Sequence, residues 1–147
     1  MKIPLVDLKA GYLPLKNEIL SAVSDVLDGM NLHLGPNVQA LEDEFATYCG
    51  AKYAVAVGSG TDAIFIALQA AGIGNGDEVI TTPHTFFATL EGIVHAGATP
   101  VFADINTDIY NIDPFQIERK ITPKTKAIIP VHMYGQAAGM EAITEIA

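Results

Sequence analysis

A glycine-rich turn at residues 58–63 has the residue types that hold a phosphate group. It reads Gly58-Ser-Gly60-Thr61-Asp62-Ala63. The apolar run 53–57 before it predicts a short buried strand, and the longer apolar stretch after it predicts a buried helix that begins at Thr61 or Asp62. The unpaired amides and the positive dipole end of a helix N-terminus bind anions. The turn therefore indicates a phosphate site, although a tight strand-to-helix connection accounts for the same glycines.

Two other phosphate-binding motifs can be compared with this turn. Residues 58–63 fit the dinucleotide fingerprint G-x-G-x-x-A, which also requires an acidic residue at the end of the second strand, about 20 residues on. Asp77 and Glu78 precede the next apolar run instead of following it, which is evidence against a nicotinamide- or nucleotide-binding module. A P-loop requires Gly-Lys-Ser/Thr, and no lysine lies between Lys52 and Lys120.

The predicted strand ends carry further candidates for ligand binding. Phe86 and Phe87 follow a strand end, where an aromatic ring can stack on a planar ligand, although burial in the following helix accounts for both side chains as well. The amide of Gln136 donates and accepts hydrogen bonds, as a hydroxylated ring or a phenolic oxygen requires. His132 fits a structural role better than a catalytic one, and Asp104 fits turn formation better than catalysis. The sequence leaves both readings of these two residues open.

Several kinds of site are disfavoured. The four histidines, at positions 33, 84, 95 and 132, lack the spacing of zinc or iron ligands. The segment 58–60 is not the G-x-S-x-G elbow of a hydrolase. The net charge of −9, with only eight basic residues, argues against a nucleic-acid partner, because phosphate backbones are bound by Lys and Arg.

The composition predicts a folded, non-membrane domain. With 147 residues, half of them apolar, the chain is long enough for a real core. No apolar run reaches the roughly 18 residues of a membrane span, and the first residues lack the apolar core of a signal peptide. Cys49 is the only cysteine, which excludes an internal disulfide. We therefore expect a cytoplasmic protein, with Cys49 as a small core residue.

Hydrophobic periodicity divides the chain into two regions. In residues 1–52, an extended arm (1–16) precedes a helix at 17–28 and a second helix that Asn37 caps and Gly50 ends. From residue 53 onward, strands alternate with helices. After the run 53–57 and its helix, we expect strands at 78–82, 99–103 and 126–131, and helices at 86–95, 114–120 and 139–147.

This alternation predicts a mainly parallel sheet with helices on both faces. In open α/β sheets, ligands bind beyond the carboxyl ends of the strands. Those ends are expected at four places: 58–61, 82–86, Asp104 and 132–136. The residues alone thus indicate an α/β sheet with a phosphate site and a nearby aromatic side chain, and they name no reaction.

Five motifs in order resemble one enzyme family. They are Leu34-Gly35-Pro36 with Leu41-Glu42-x-Glu44-Phe45, the 58–63 turn, Thr82-Pro-His-Thr85-Phe86-Phe87-Ala-Thr89, Phe102-Ala-Asp104-Ile-Asn, and Pro130-Val-His132-Met-Tyr134-Gly135-Gln136. Each motif is weak by itself. Their order and spacing together resemble the DegT/DnrJ/EryC1/StrS family of sugar aminotransferases, which use pyridoxal phosphate (PLP). The resemblance runs from about Val6 to the end of the chain.

The resemblance implies part of the large domain of a fold type I PLP-dependent transferase, as in aspartate aminotransferase, with a mainly parallel sheet and flanking helices. It implies that Gly60, Thr61 and the Asp62 amide hold the cofactor phosphate, with the Asp62 carboxylate facing away. Phe86 matches the aromatic residue that stacks on the pyridine ring, which leaves Phe87 for the core. Weak candidates for substrate contacts are Gly35, Pro36, His132 and Gln136.

The implied reaction transfers an amino group from glutamate to a keto group on a nucleotide-linked sugar, in a homodimer. The residues identify neither the sugar nor the nucleotide. A sugar dehydratase variant of the same family, in which histidine replaces the Schiff-base lysine, is an alternative.

The match departs from the family pattern at its end. In the family, a later strand carries Asp-x-x-Gln, whose Asp pairs with the pyridine nitrogen, and the Schiff-base lysine follows. The lysines of this chain lie away from the predicted strand ends, so none replaces it. Residues 53–147 are therefore expected to be the N-terminal part of the PLP-binding domain, truncated before that strand, the lysine and the small C-terminal domain. Alone, the fragment is expected to be inactive.

Overall fold

A computed structural model describes Pro4 and residues 6–147 of the chain. Two compact units are present, Met1–Ala56 and Val57–Ala147. Residues 1–3 and 5, which belong to the predicted N-terminal arm, lie outside the described residues.

Helix α1 (Leu8–Asp28) begins much earlier than predicted. The Asp7 carboxylate accepts hydrogen bonds from Lys9 N at 3.1 Å and Ala10 N at 3.2 Å, which caps the helix. Pro14 lies inside the helix, where it removes one backbone hydrogen bond without ending it. The prediction of an extended arm up to residue 16 was therefore wrong for residues 8–16, because Gly11 and Pro14 do not prevent a helix that Asp7 caps.

Helix α2 (Pro36–Cys49) has Gly35 at its N-cap position and Pro36 in its first turn, so the prediction that Asn37 caps it was wrong. Its end was predicted correctly: Gly50 is the C-cap, with the left-handed φ of 64° that favours glycine. Cys49 is exposed, so it is not the core residue that its small apolar side chain suggested.

The second unit alternates strands and helices. In order, its elements are α3 (Gly60–Ala70), β1 (Glu78–Thr81), α4 (Ala88–His95), β2 (Thr99–Phe102), α5 (Pro114–Glu118), β3 (Thr125–Ile128), a 3-10 turn (Met133–Gly135) and α6 (Met140–Ile146). The strands of the described residues form a parallel sheet in the order β2-β1-β3. The predicted parallel α/β architecture is confirmed, and each strand and helix that forms lies at or within a few residues of its predicted place.

The apolar run 53–57 does not form the predicted buried strand. It has no strand assignment, and Tyr53, Val55 and Val57 are exposed. Within the described part of the chain, no strand pairs with this segment, so no backbone ladder forms and most of its side chains stay exposed. An apolar sequence run shows that a segment can form a buried strand. Whether it is buried depends on another element that packs against it.

Two apolar clusters cover the two faces of the sheet. Successive residues of a strand point to opposite faces, so Val79 and Ile80 of β1 lie in different clusters. Val79 packs with residues of α3 and α4, including Leu68 and Ile93. Ile80 packs with the α5 residue Ile117 and with α6. Helices therefore lie on both faces of the sheet, as the alternating pattern predicts.

Helix α3 is less buried than its composition predicts. Leu68 is its buried residue, Ile64 and Phe65 are half-buried, and Ile66 on the opposite side is exposed. One face packs on the sheet and α4 while the other lacks a covering layer among the described residues. Those same residues include no helix of the length and apolarity needed to cross a membrane.

Candidate functional site

The turn before α3 is organised by Ser59. Its Oγ accepts a hydrogen bond from Asp62 N at 3.1 Å, and its carbonyl accepts one from Ala63 N at 3.0 Å, so Ser59 is the N-cap and the helix begins at Gly60. The N–H groups of Gly60 and Thr61 in the first turn have no intrahelical partner. Two amides at the positive end of the α3 dipole therefore remain available for an anion.

The Asp62 carboxylate lies over Gly58 and away from Gly60. Ser59 Oγ donates a hydrogen bond to its Oδ2 at 3.0 Å, and a Cβ built on Gly58 would lie 2.8 Å from the same oxygen. A Cβ built on Gly60, by contrast, would meet nothing within 4 Å. The space over Gly60 is open, and the negative charge that would repel a phosphate is held over the neighbouring glycine.

Helices α3 and α4 pack side by side and run in the same direction. Three contacts define the pairing: Ile64 against Gly92, where a Cβ would lie 2.6 Å from Ile64 Cγ2; the Phe65 and His95 rings, 6.4 Å apart and perpendicular; and Gln69 Nε2 to Ala96 O, at 3.4 Å. Residue numbers rise together on both helices, so their N-termini lie at the same end. The Gly60 turn and the Phe86 segment are thereby brought to one end of the helix pair.

Phe86 and Phe87, in the segment before α4, are both exposed, at 81% and 65% of their surface. An exposed Phe86 ring offers a free face for stacking. The prediction that Phe87 is a core residue was wrong, since Phe87 is the N-cap residue of α4, whose buried residues begin at Ala88. The segment is fixed by a hydrogen bond of 2.9 Å between the hydroxyls of Thr85 and Thr89.

The acidic residues that a dinucleotide fingerprint would use are engaged elsewhere. Asp77 Oδ2 accepts from Gly74 N at 3.0 Å, and Glu78 Oε2 accepts from the Thr122 hydroxyl at 2.6 Å. Both residues lie at the amino end of β1, opposite the edge at which ligands bind in such sheets. Their positions strengthen the sequence argument against a dinucleotide-binding module.

The segment 132–136 follows β3 at the carboxyl edge of the sheet. His132 Nδ1 accepts a hydrogen bond from Ala138 N at 3.0 Å, which places the ring proton of a neutral imidazole on Nε2 and gives His132 a structural role in its own loop. Gln136 is exposed, and its backbone N–H donates to Met133 O at 3.0 Å. Asp104, after β2, uses its carboxylate for the neighbouring Ile105 N at 2.8 Å, which is turn chemistry.

Sequence reasoning missed Asn111, which ties two of these loops together. Its side chain is fully buried; Oδ1 accepts from Met133 N at 2.9 Å, and Nδ2 donates to the carbonyls of Gln136 and Ala137, each at 3.2 Å. The residue stands in a stretch rich in Asn and Asp, where sequence alone predicts only turns. Its partners are more than 20 residues away, so no local signal identifies it.

Gly35 and Pro36 lie in the first unit, at the start of α2. A Cβ on Gly35 would lie 2.8 Å from Asn31 O, so this position needs glycine for a close backbone approach. Together with the end of α1 and the following loop, these residues line a cavity of about 340 Å³. Their role as substrate contacts stays a prediction.

The second unit therefore has free helix amides with open space above them and, at the same end of α3 and α4, an exposed aromatic ring. The amides can bind a phosphate, and the ring can stack on a planar heterocycle. This pair of features suits a flat cofactor that carries a phosphate.

Comparisons with known proteins agree with this geometry. Residues 14–147 match the model of the DegT/DnrJ/EryC1/StrS aminotransferase family. The chain is 54% identical over 147 residues to the pleiotropic regulatory protein of Geobacillus stearothermophilus, covering 100% of this chain and 40% of that protein. It is 48% identical over 145 residues to the UDP-N-acetyl-3-dehydro-alpha-D-glucosamine 3-aminotransferase of Acidithiobacillus ferrooxidans, covering 99% and 39%.

Among solved structures, that of Streptomyces venezuelae DesV in complex with a ketimine intermediate is similar, with a TM-score of 0.95 and 44% identity. The match covers 99% of this chain and 39% of that one. The chain thus spans about two fifths of the length of the relatives it matches. With the family model matched over nearly the whole chain, this protein belongs to the DegT/DnrJ/EryC1/StrS aminotransferase family.

Proposed function

We propose that this chain is the N-terminal part of a PLP-dependent enzyme that transfers an amino group from glutamate to a keto group on a nucleotide-linked sugar. The observation that carries the proposal is the open phosphate site at the start of α3, within a chain of this family. The relatives support the reaction type, since one is described as a 3-aminotransferase of a UDP-linked keto sugar.

The residues present fit the PLP phosphate. The Gly60 and Thr61 amides are free of intrahelical partners, and the space over Gly60 is open. The predicted third donor, Asp62 N, already donates to Ser59 Oγ, so the proposal rests on the other two amides and the Thr61 hydroxyl. Phe86 would stack on the pyridine ring. When bound, PLP supplies an electron sink for the substrate carbanion, while these residues hold and orient it.

We place the Schiff-base lysine and the Asp partner of the pyridine nitrogen in the part of the relatives' length that this chain does not cover. The 147 residues by themselves are then inactive, since they lack the covalent anchor and the base for proton transfer. We also propose a homodimer, which is supported by the exposed apolar residues of α1, among them Ile19, Val23 and Leu27. Such a face is rarely left in contact with water.

Cofactor retention in the full-length gene product tests the site. Thr61→Val removes a phosphate-binding hydroxyl and Phe86→Ala removes the stacking ring, so each should lower PLP affinity about tenfold, as expected for one hydrogen bond to a charged group or one aromatic contact. The measurement is the visible absorbance of bound PLP during titration.

Thr144→Val and Phe115→Ala are matched controls, because both residues are exposed in the same unit and lie outside the proposed site. Unchanged PLP affinity in both site variants would contradict the site assignment. A wild-type protein that binds PLP but releases water from the sugar instead of taking up nitrogen from glutamate would identify the dehydratase variant.

A further inference from the structure

Three aromatic side chains form a cluster that the proposed cofactor site does not use, although His84 and Tyr134 stand in two of the sequence motifs. The rings of His84, Tyr110 and Tyr134 lie in mutual contact, with centroids 6.1 Å apart for both pairs that include His84 and 6.2 Å apart for the two tyrosines. The Tyr134 hydroxyl and His84 Nε2 are 3.3 Å apart, within hydrogen-bond distance. The three rings therefore pack against one another, and the Tyr134 hydroxyl and the His84 imidazole add polar groups to the cluster.

Each member comes from a different loop at the ligand-binding edge of the sheet. His84 follows β1, Tyr110 lies in the loop after β2, and Tyr134 lies in the turn after β3. The strands are parallel, so the three loops lie at the same, carboxyl edge. Only the fold brings together residues that are separated by 24 to 50 positions along the chain.

Both tyrosines have a backbone conformation that residues other than glycine rarely adopt. Their φ angles are 59° and 55°, in the left-handed region. Tyr110 is next to the buried Asn111, whose amide also binds the backbone on both sides of Tyr134. Residues held in such conformations by their surroundings are concentrated at functional sites.

The cluster is not part of a packed core. Tyr134 is 76% exposed and Tyr110 is 49% exposed, so ring surface remains free for a ligand. Rings with free faces and hydroxyls at one edge match the chemistry of a pyranose, which has apolar C–H faces and a rim of hydroxyls.

We propose that Tyr110 and Tyr134, with His84 in contact with both rings, form the surface that binds the sugar ring of the substrate. This inference rests on the proposed function, because it assigns a place to the sugar of that reaction. Asn111 is the positioning residue, because its buried side chain joins the loops that carry Tyr110 and Tyr134.

Binding measurements on the full-length gene product with PLP test the proposal. The probes are UDP-N-acetylglucosamine and dTDP-glucose, which lack a keto group and cannot react, and UDP and dTDP, which lack the sugar. The difference in affinity between each sugar nucleotide and its nucleotide isolates the contribution of the sugar. We expect Tyr110→Ala and Tyr134→Ala each to reduce that difference about three- to tenfold, the usual effect of one aromatic contact.

A control variant and a second measurement distinguish failure of the sugar-binding surface from failure of the proposed function. Phe115→Ala, which removes an exposed aromatic ring elsewhere in the unit, should leave the affinity difference unchanged. Conversion of bound PLP to its amino form by glutamate should proceed in the tyrosine variants as in the wild type. If the wild type shows no such conversion, the proposed function fails; if conversion is normal and the sugar contribution is unchanged in both tyrosine variants, only the sugar surface fails.

A measurement on the wild type covers the case in which the alanine variants do not fold. Tyrosine ring signals, assigned through Tyr110→Phe and Tyr134→Phe, should shift in NMR spectra on addition of UDP-N-acetylglucosamine and not on addition of UDP. Absence of a sugar-dependent shift at both rings would overturn the proposal.

Discussion

The two units of the chain form helices equally well and bury very different amounts of apolar surface. In the described part of residues 1–56, Ala46 is the only buried residue, and the α1 residues Ile19, Leu20, Val23 and Leu27 are 41–51% exposed. In residues 57–147, two apolar clusters enclose a sheet whose Val79 and Ile80 are fully buried. Caps and periodicity indicate where a helix begins and ends, whereas a core requires a second layer.

The sharpest test of this comparison is truncation of one apolar side chain in each unit. In this 147-residue chain, Ile93→Ala should lower the free energy of unfolding of the second unit by about 2–5 kcal/mol, because Ile93 is fully buried against the sheet. Leu20→Ala should change the stability of α1 by less than about 0.5 kcal/mol, because Leu20 is already half in water.

Native-state amide exchange, followed at Val79 for the second unit and at Val23 for α1, measures both effects. Equal losses for the two variants would contradict the comparison. Repeating Leu20→Ala in the full-length gene product then asks whether another part of the protein covers this face, in which case the loss should grow.

Replacing glycine by alanine should change the stability of the two units in opposite directions. Gly92→Ala should destabilise the second unit by about 1–3 kcal/mol, because the new Cβ would lie 2.6 Å from Ile64 Cγ2 and force α3 and α4 apart. Gly11→Ala should stabilise α1 by about 0.5–1 kcal/mol, because a Cβ there meets nothing within 4 Å and alanine is the better helix former.

The midpoint of urea unfolding, monitored by helical circular dichroism, measures the change in stability for both variants. Amide exchange at Phe65 of α3 reports the effect of Gly92→Ala. A stabilising Gly92→Ala would show that α3 and α4 do not make the close contact described above.

The smallest expected difference between the two units concerns the helix caps, which should matter similarly in both. Ser59→Ala removes the cap of α3 and Asp7→Ala removes that of α1, each with a loss of about 1 kcal/mol in the stability of its helix. The readout is amide exchange in the first turn after each cap. A much larger loss at one cap would mean that it carries tertiary contacts as well, and would weaken the view that helix ends in both units are determined locally.

Much of the fold followed from local pattern, and so did the residues of the proposed phosphate site. The strands of the second unit, the glycine turn, and the helix start near Thr61 were predictable because each depends on residues within a few positions. The errors in predicted burial share one cause. The burial of 53–57, of α3, of Phe87 and of Cys49 was inferred from side-chain type, yet burial depends on which other element lies opposite.

The sequence by itself determined the family, the α/β alternation and the residues Gly60, Thr61 and Phe86 as candidates, since motif order, periodicity and turn chemistry are local properties. Tertiary structure alone decided that the Asp62 carboxylate lies over Gly58 and that Asn111 joins two loops. It alone also gathered His84, Tyr110 and Tyr134 at one edge. The physical reason is that parallel strands align their carboxyl ends whatever their separation along the chain, and no pattern of neighbouring residues records that alignment.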